Sequence, residues 1–174
     1  GAGLVSVFCA LDSRAEQAAR LDAIMVKTYE EGTDFRDKLS ALNPSAVCIG
    51  PNFGICDQSR RKLAETLSLA VPLCIDADAI TLIAQDPDLI DACIHDQIVM
   101  TPHEGELRRL IPAAFDKTSC RMSLAKIAAD AMNCCVLFKG SETIIARPYG
   151  DCAVVKSRAF QNTAWLATAG SGDV

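Results

Sequence analysis

The chain has 174 residues, of which 50% are hydrophobic and 22% are charged, and this balance excludes a disordered segment. Its 17 Lys and Arg residues against 22 Asp and Glu residues give a net charge of −5 without a basic run, which argues against non-specific nucleic-acid binding. The apolar runs have the length of strands and no signal peptide opens the sequence, so we expect a cytoplasmic protein that makes no use of a membrane.

Length and cysteine content limit the number of domains and the kinds of cysteine site that can be expected. At about 100–200 residues per domain, residues 1–174 are expected to form a single domain. The nine cysteines include no Cys-x-x-Cys pair and only one adjacent pair, Cys134–Cys135. That pattern fits neither a disulfide framework nor a zinc ribbon, and it predicts reduced thiols in a reducing compartment. With two histidines in the chain, we predict no metal site built from protein side chains alone.

Short apolar runs alternate with amphipathic stretches along the chain. In order, the pattern predicts a strand over 4–9, a helix over 12–19, a strand over 45–49, a helix over 57–69, a strand over 71–75, a helix starting at Asp86-Pro87, a strand over 97–100, helices over 104–110 and 123–132, and a strand over 134–138. Residues 143–146 and 152–156 flank Pro148-Tyr149-Gly150-Asp151 and predict a hairpin. The sequence therefore predicts an α/β fold with a mainly parallel sheet and an antiparallel hairpin near its C-terminal edge.

Segments that contain glycines or polar and charged residues follow one predicted strand after another. They are 50–54, Asp76 with Asp78, 101–106, 139–143 and 170–173. Because a parallel α/β sheet binds its ligands outside the carboxyl ends of the strands, this repeated coincidence predicts the active site at that edge.

The first two of these segments each have two interpretations. Gly-Pro-Asn-Phe-Gly at 50–54 is a tight turn, or a turn whose glycines let a ligand approach the backbone. Asp76 and Asp78 share one strand face if the strand persists, where they could hold a metal or a hydroxyl. Alternatively, the two carboxylates cap a loop or a helix.

The next two segments contain the histidine and lysine candidates. His103, in Thr-Pro-His-Glu-Gly-Glu, would project at the edge of the sheet and could bind a carbonyl, phosphate or carboxamide, or only form part of the turn. The glutamates that follow it also suit the start of a helix. Lys139 follows a fully apolar strand, where it neutralises a phosphate or is a solvated residue before a glycine turn.

The sharpest local signal is Ala-Gly-Ser-Gly-Asp-Val at 169–174. Two glycines among small residues free backbone N–H groups to converge on an anion, as in phosphate-binding nests. Asp173 beside such a nest could take a proton from an attacking hydroxyl. A short Gly-x-Gly-Asp is common, so the segment carries little weight alone.

Together the segments resemble the NAD(P)H-hydrate dehydratases. The matching stretches are Gly-Ala-Gly-Leu-Val (1–5), Gly-Pro-x-x-Gly (50–54), Asp-Ala-Asp-Ala (76–79), Thr-Pro-His-x-Gly-Glu (101–106), Lys-Gly-x-x-Thr (139–143) and Ala-Gly-Ser-Gly-Asp-Val (169–174). The family belongs to the ribokinase-like superfamily, so the resemblance implies a three-layer α/β/α fold. Thr-Pro-His-x-Gly-Glu is most similar to the ADP-using branch of bacteria and archaea.

The resemblance implies a lyase that repairs damaged nicotinamide cofactor. It would dehydrate the S epimer of hydrated NADH or NADPH at the expense of ADP (or ATP) with Mg²⁺, and ADP would yield AMP and phosphate. Carried over to this chain, Gly54, His103 and Asp173 contact the hydrated nicotinamide nucleotide, and Asp173 is the catalytic base. The residues implied for the adenine nucleotide are Lys139, Gly140, Ser141, Glu142, Thr143 and Gly172.

The chain departs from the family pattern in sequence and in length. Asn52 stands where the family usually has a third glycine, and Phe53 replaces a common leucine. Family members begin before Gly1 and continue past Val174 into a helix whose N-terminus completes the phosphate site. We therefore expect 1–174 to be a partial domain, whose cut sheet edges predict association into a homo-oligomer.

Two other functions remain open. A ribokinase-like kinase of a vitamin precursor or sugar would share the fold and the Gly-x-Gly-Asp ending, although Thr-Pro-His-x-Gly-Glu with Asp-Ala-Asp argues against it. A non-catalytic nucleotide-binding module would keep Lys139 at the strand edge without a closed active site.

Overall fold

The computed structural model describes residues 3–30, 32, 34–86, 88–91 and 97–156. It divides into two compact units, Gly1–Pro44 and Ser45–Val174, so the single domain expected over 1–174 stays a prediction. Within the described ranges, no helix combines the length and the apolar character needed to cross a membrane.

The first unit contains two parallel strands and two helices. In chain order they are β1 (Ser6–Ala10), α1 (Arg14–Arg20), β2 (Met25–Tyr29) and α2 (Phe35–Ala41). The rings of Phe8, Tyr29 and Phe35 form an aromatic cluster with centroids 4.9 to 5.3 Å apart. β1 and α1 confirm the first two predicted elements. β2 and α2 correspond to no prediction, because each contains only short apolar runs.

A six-stranded sheet forms the centre of the second unit. Its strands, in the same order along the chain and across the sheet, are β3 (Val47–Ile49), β4 (Leu73–Ile75), β5 (Ile98–Met100), β6 (Cys135–Phe138), β7 (Glu142–Ala146) and β8 (Cys152–Lys156). β3 to β6 are parallel, whereas β7 pairs antiparallel with both of its neighbours. The structure thus confirms the mainly parallel sheet and the hairpin near its C-terminal edge.

Helices connect the parallel strands. Those of the described residues are α3 (Asp57–Leu67), α4 (Ala77–Gln85), α5 (Asp88–Asp91), α6 (Glu104–Leu110), α7 (Pro112–Phe115) and α8 (Arg121–Met132). α3, α6 and α8 confirm predicted helices, and α5 begins at Asp88, just after the predicted start at Asp86-Pro87. Pro87 itself lies outside the described residues.

Asp76 and Asp78 do not share a strand face, because the strand does not persist, and Asp78 instead caps a loop by accepting from the Gly54 N–H. β4 ends at Ile75, and α4 begins only two positions later, at Ala77. Ala77 has a left-handed φ of +49°, a conformation that costs a residue with a side chain about 1 kcal/mol or more. This turn directs the two carboxylates to different loops instead of to one face.

The apolar core fixes the level at which the parallel strands end. Ile49, Ile75, Met100 and Val136 are register partners across β3 to β6, and all four are buried. The helices cover this row with Leu63, Leu67, Ile80, Ile83 and Leu107, each at most 1% exposed. Burial of such a side chain stabilises the fold by roughly 1.5–3 kcal/mol. Because the strands stay in register, the loops that follow them meet at one edge.

Candidate active site

Lys139 is fixed at three of its atoms, just beyond the carboxyl end of β6. Its backbone N–H donates to the carbonyl of Pro102 at 2.8 Å, and its own carbonyl accepts from Arg121 Nη2 at 3.1 Å. Its ammonium Nζ lies 2.7 Å from Asp76 Oδ1. The Lys139 side chain is 30% exposed and that of Asp76 only 14%. The ammonium is therefore held in place, yet an anion arriving from solvent can still approach it.

Asp78 holds the loop after β3, where the glycine-rich turn lies. The Gly54 N–H donates to Asp78 Oδ2 at 2.8 Å. Gly54 has φ +81° and Asn52 has φ +53°, so both adopt the left-handed conformation. Asparagine tolerates this conformation better than most residues, and Asn52 therefore fits where the resemblance leads one to expect a glycine.

Gly50 is required by a close approach of two backbones. A Cβ at this position would lie 1.7 Å from the Asp76 carbonyl oxygen, and the φ of Gly50 is +130°. The loop 50–54 thus packs directly against the start of α4. Both interpretations of this segment survive, since it is a tight turn whose residues Pro51, Asn52 and Gly54 are also exposed.

His103 begins α6 as its N-cap. Its Nδ1 accepts from the N–H groups of Gly105 at 2.9 Å and Glu106 at 3.3 Å, so the ring proton is assigned to Nε2. Nε2 lies 3.3 Å from Glu106 Oε1, and Glu106 Oε2 accepts from the His103 backbone N–H at 2.8 Å. This reciprocal capping box satisfies N–H groups that would otherwise lack partners. It also leaves the imidazole 55% exposed at the edge of the sheet.

The segment 139–143 lies against Arg121, a residue that the motifs did not indicate. Arg121 stacks on the ring of Phe138, with its Cζ 3.8 Å from the ring centroid. A Cβ at Gly140 would lie 2.3 Å from Arg121 Nη2. No signal in the sequence pointed to Arg121, because the predicted helix over 123–132 begins after it; in the structure it lies in the first turn of α8, where a cation opposes the helix dipole. Glu142 pairs with Lys156 at 3.4 Å, and Ser141 is exposed.

Cys74 lies on β4, opposite its register partner Cys48 on β3. The pKa of the Cys74 thiol is lowered from 9.0 to about 7, mainly because Cys48 hydrogen-bonds to it. Burial and the neighbouring Asp76 carboxylate oppose this lowering, while Lys139 and Thr101 favour it. This thiol is thus electrostatically linked to the Asp76–Lys139 pair.

The structure brings together some of the predicted site residues. Gly54 and Lys139 are both tied to the start of α4, through Asp78 and Asp76 respectively. His103 follows Pro102 in the sequence, and the Pro102 carbonyl accepts the hydrogen bond from the Lys139 backbone N–H. Asp173 and Gly172, with the rest of 169–174, lie outside the described residues. Within the described ranges, no group of three or more His, Cys, Asp or Glu side chains is arranged to hold a metal ion.

Comparisons with known proteins agree with one another. The profile of the family described as NAD(P)H-hydrate dehydratase matches residues 1–174. A bifunctional NAD(P)H-hydrate repair enzyme of Mycobacterium tuberculosis is 39% identical over 129 residues, which are 74% of this chain and 26% of that protein. Its counterpart from Synechocystis is 32% identical over 179 residues, covering 100% of this chain and 33% of that protein. The chain thus spans only about a quarter to a third of the length of these relatives.

Solved structures show the same fold at lower identity. An ADP/ATP-dependent NAD(P)H-hydrate dehydratase from Bacillus subtilis, co-crystallised with ATP and Mg²⁺, superposes with a TM-score of 0.68 at 21% identity. The match covers 99% of this chain and 59% of that one. A ribokinase-like protein from Enterococcus faecalis gives a TM-score of 0.67 at 21% identity, covering 90% of this chain and 54% of that one. These likenesses confirm a ribokinase-like fold.

Proposed function

The chain belongs to the NAD(P)H-hydrate dehydratase family, and from that premise we propose that its protein removes water from hydrated NADH and NADPH at the expense of an adenine nucleotide. The substrate is the S epimer of the hydrate. The co-substrate is ADP, which yields AMP and phosphate, with ATP as the alternative. The reaction restores the dihydropyridine ring of the cofactor.

The observation that supports the proposal most directly is the fixed ammonium of Lys139. Its Nζ lies 2.7 Å from Asp76 Oδ1 at the edge where the parallel strands end. Phosphoryl transfer depends mainly on positioning and on neutralising charge. An ammonium already held in place loses little freedom when a phosphate binds beside it. In this proposal Lys139 and its neighbours Gly140, Ser141, Glu142 and Thr143, together with Gly172, hold the adenine nucleotide.

Asp173 would act as the base. Its carboxylate takes the proton of the hydrate's hydroxyl, and that oxygen attacks the terminal phosphorus of ADP while AMP leaves. The phosphate ester is a better leaving group than hydroxide. Loss of this phosphate from the ring carbon, with loss of a proton from the adjacent carbon, restores the double bond.

Gly54 and His103 would contact the hydrated nicotinamide nucleotide. Gly54 is exposed in a loop held by Asp78, and the His103 imidazole is exposed at the start of α6. Mg²⁺ would be held chiefly by the phosphates of the nucleotide, as is usual for this ion. Asp76 would then pair with Lys139 and would not bind the metal.

The test follows the return of dihydropyridine absorbance in hydrated NADH, with ADP or ATP and Mg²⁺. The parent chain is compared with D173N, K139M and K126M, the last of which removes an exposed lysine from α8. A nucleotide-dependent rise that is lost in D173N and K139M but kept in K126M supports the proposal. Phosphoryl transfer to simple alcohols without action on hydrated NADH would overturn it in favour of a kinase. Nucleotide binding without any turnover would favour a non-catalytic module.

Two further expectations belong to the same proposal. We expect a cytoplasmic location, which suits the eight cysteines of the described residues, since none of them forms a disulfide there. We also expect a homo-oligomer, because β3 and β8 are the outer strands of the described sheet and an unpaired strand edge favours association. Light scattering would contradict the second expectation if it gave the mass of a monomer.

A further inference from the structure

Arg121 is the first residue of α8, a position that electrostatics alone disfavours. The N-terminus of a helix carries partial positive charge, and a cation there costs about 0.3–1 kcal/mol. Its Nε is buried and has no hydrogen-bond partner in the part of the chain that the structure describes. Such a placement requires a compensating set of contacts, which the other guanidinium nitrogens supply.

Those contacts join the two ends of one turn. Arg121 Nη2 donates to the Lys139 carbonyl at 3.1 Å and lies 3.5 Å from the Glu142 carbonyl oxygen. The guanidinium lies over the ring of Phe138, with Cζ 3.8 Å from the ring centroid. One side chain therefore spans the connection between β6 and β7 and rests on the last residue of β6.

This contact also sets the direction of a backbone donor. The described chain contains no cis peptide bond, and in a trans peptide the N–H points opposite to the C=O. Since the Lys139 carbonyl points towards Arg121, the Gly140 N–H points away from it. Gly140 is exposed, and its lack of a Cβ is what allows the guanidinium to lie against it.

We propose that Arg121 is a positioning residue for the adenine nucleotide: by holding the Lys139 carbonyl, it turns the Gly140 N–H outwards as a donor to a phosphate or another anionic acceptor. The inference rests on the proposed function, because it assigns a partner to the segment 139–143. Arg121 itself does not touch the nucleotide in this assignment. A lysine could not replace it, since only the planar guanidinium can stack on Phe138 and reach both carbonyls.

The chain offers a matched control in Arg108. Arg108 also lies over a phenylalanine, with Cζ 4.1 Å from the centroid of Phe115. Both arginines pair with Glu104, Arg121 through Nη1 at 3.8 Å and Arg108 through Nη2 at 3.3 Å. Among the described residues, no hydrogen bond or ion pair joins Arg108 to the segment 139–143. R121M and R108M therefore remove the same charge, a similar cation–π contact and an ion pair with the same glutamate. The two variants differ because only R121M also removes the contacts with the carbonyl oxygens of Lys139 and Glu142.

The experiment measures ADP binding with Mg²⁺ by calorimetry in the parent chain, R121M, R121K and R108M. We expect R121M and R121K to bind about tenfold more weakly, the effect of losing one charge-assisted hydrogen bond, and R108M to stay within about twofold. Amide NMR should show the Gly140 resonance displaced in both Arg121 variants of the free protein. G140A, whose Cβ displaces the guanidinium, should reproduce the loss of affinity.

Each other result has a defined meaning. Equal ADP affinity in the parent and R121M, or equal losses in R121M and R108M, would overturn the inference while leaving the proposed function intact. Full affinity in R121K would overturn it too, because charge alone would then suffice. If the parent chain binds neither ADP nor ATP, the proposed function fails first and the role of Arg121 falls with it.

Discussion

The Lys139 ammonium and the Asp76 carboxylate meet at 2.7 Å although 63 positions separate them in the sequence. The pair connects the ends of β4 and β6 across the intervening strand β5. Asp78, two residues further on, instead binds the loop after β3 through the Gly54 N–H. The two aspartates thus connect the loop after β3 and the loop after β6 to the start of α4, so this short segment contacts both parts of the candidate site.

Removing the Asp76 carboxylate should cost both stability and nucleotide affinity. We expect a double-mutant cycle of D76N and K139M to give a coupling free energy of about 1 kcal/mol, because the pair is partly shielded from water. Denaturant unfolding of the four proteins measures it. The pair Arg60–Asp86, at 2.9 Å and about one-third exposed, is the control. Its R60M and D86N cycle should show similar coupling without any change in ADP binding. Additive losses in the first cycle would show that the contact contributes nothing to stability.

Gly50 and Gly54 should respond very differently to alanine. Both have a positive φ, so each G→A change has a backbone cost of about 1–2 kcal/mol. Only at Gly50 would the new Cβ meet backbone, 1.7 Å from the Asp76 carbonyl oxygen, whereas at Gly54 the nearest atom is Ser59 Oγ at 3.5 Å. We expect G50A to lower the free energy of unfolding by at least about 3 kcal/mol and G54A by no more than its backbone cost. Urea unfolding separates the two, and equal losses would contradict the packing of this loop against α4.

The edge of the sheet at which the candidate site lies could be predicted from sequence, whereas the contacts between its residues could not. Strand ends marked by Gly50, His103 and Lys139 predict one edge of a sheet because parallel strands share a direction. The predicted strand over 71–75 ends where β4 ends, but the helix that begins at Ala77 was not predicted, and the Asp76–Lys139 contact depends on that sharp turn. α4 was missed because its apolar residues, including the β-branched Ile80 and Ile83, resemble a buried strand. Arg121 belongs to no motif, and its contacts arise only when α8 packs beside the end of β6.

His103 allows a structural role and a binding role to be separated. Asparagine is a good N-cap, whereas alanine is a poor one and costs about 1 kcal/mol at such a position. We therefore expect H103A to lose about that much stability and H103N to lose much less, as measured by thermal unfolding. If the imidazole also contacts the hydrated nicotinamide nucleotide, both variants should lose dehydratase activity. Retention of full activity in H103N would restrict His103 to its capping-box role with Glu106.

Cys74 should make the stability of the fold depend on pH in the alkaline range. Its pKa in the folded chain is about 7, below the ordinary 9.0, so folding favours the thiolate. The stabilisation is complete above pH 9 and is lost as the pH falls through 7. Between these values the free energy of unfolding should therefore rise with pH in the parent chain more steeply than in C74S. Urea midpoints of the two proteins over this range provide the measurement.

Cys48 is the control for the cause of this shift, because its hydrogen bond is the main reason for the lowered pKa of Cys74. In C48A the remaining influences of burial and of Asp76 should raise the pKa of Cys74, and the extra slope between pH 7 and 9 should disappear. C48S retains a hydroxyl donor and should keep most of the slope. A C48A protein with the same pH dependence as the parent would show that the hydrogen bond across β3 and β4 does not stabilise the thiolate.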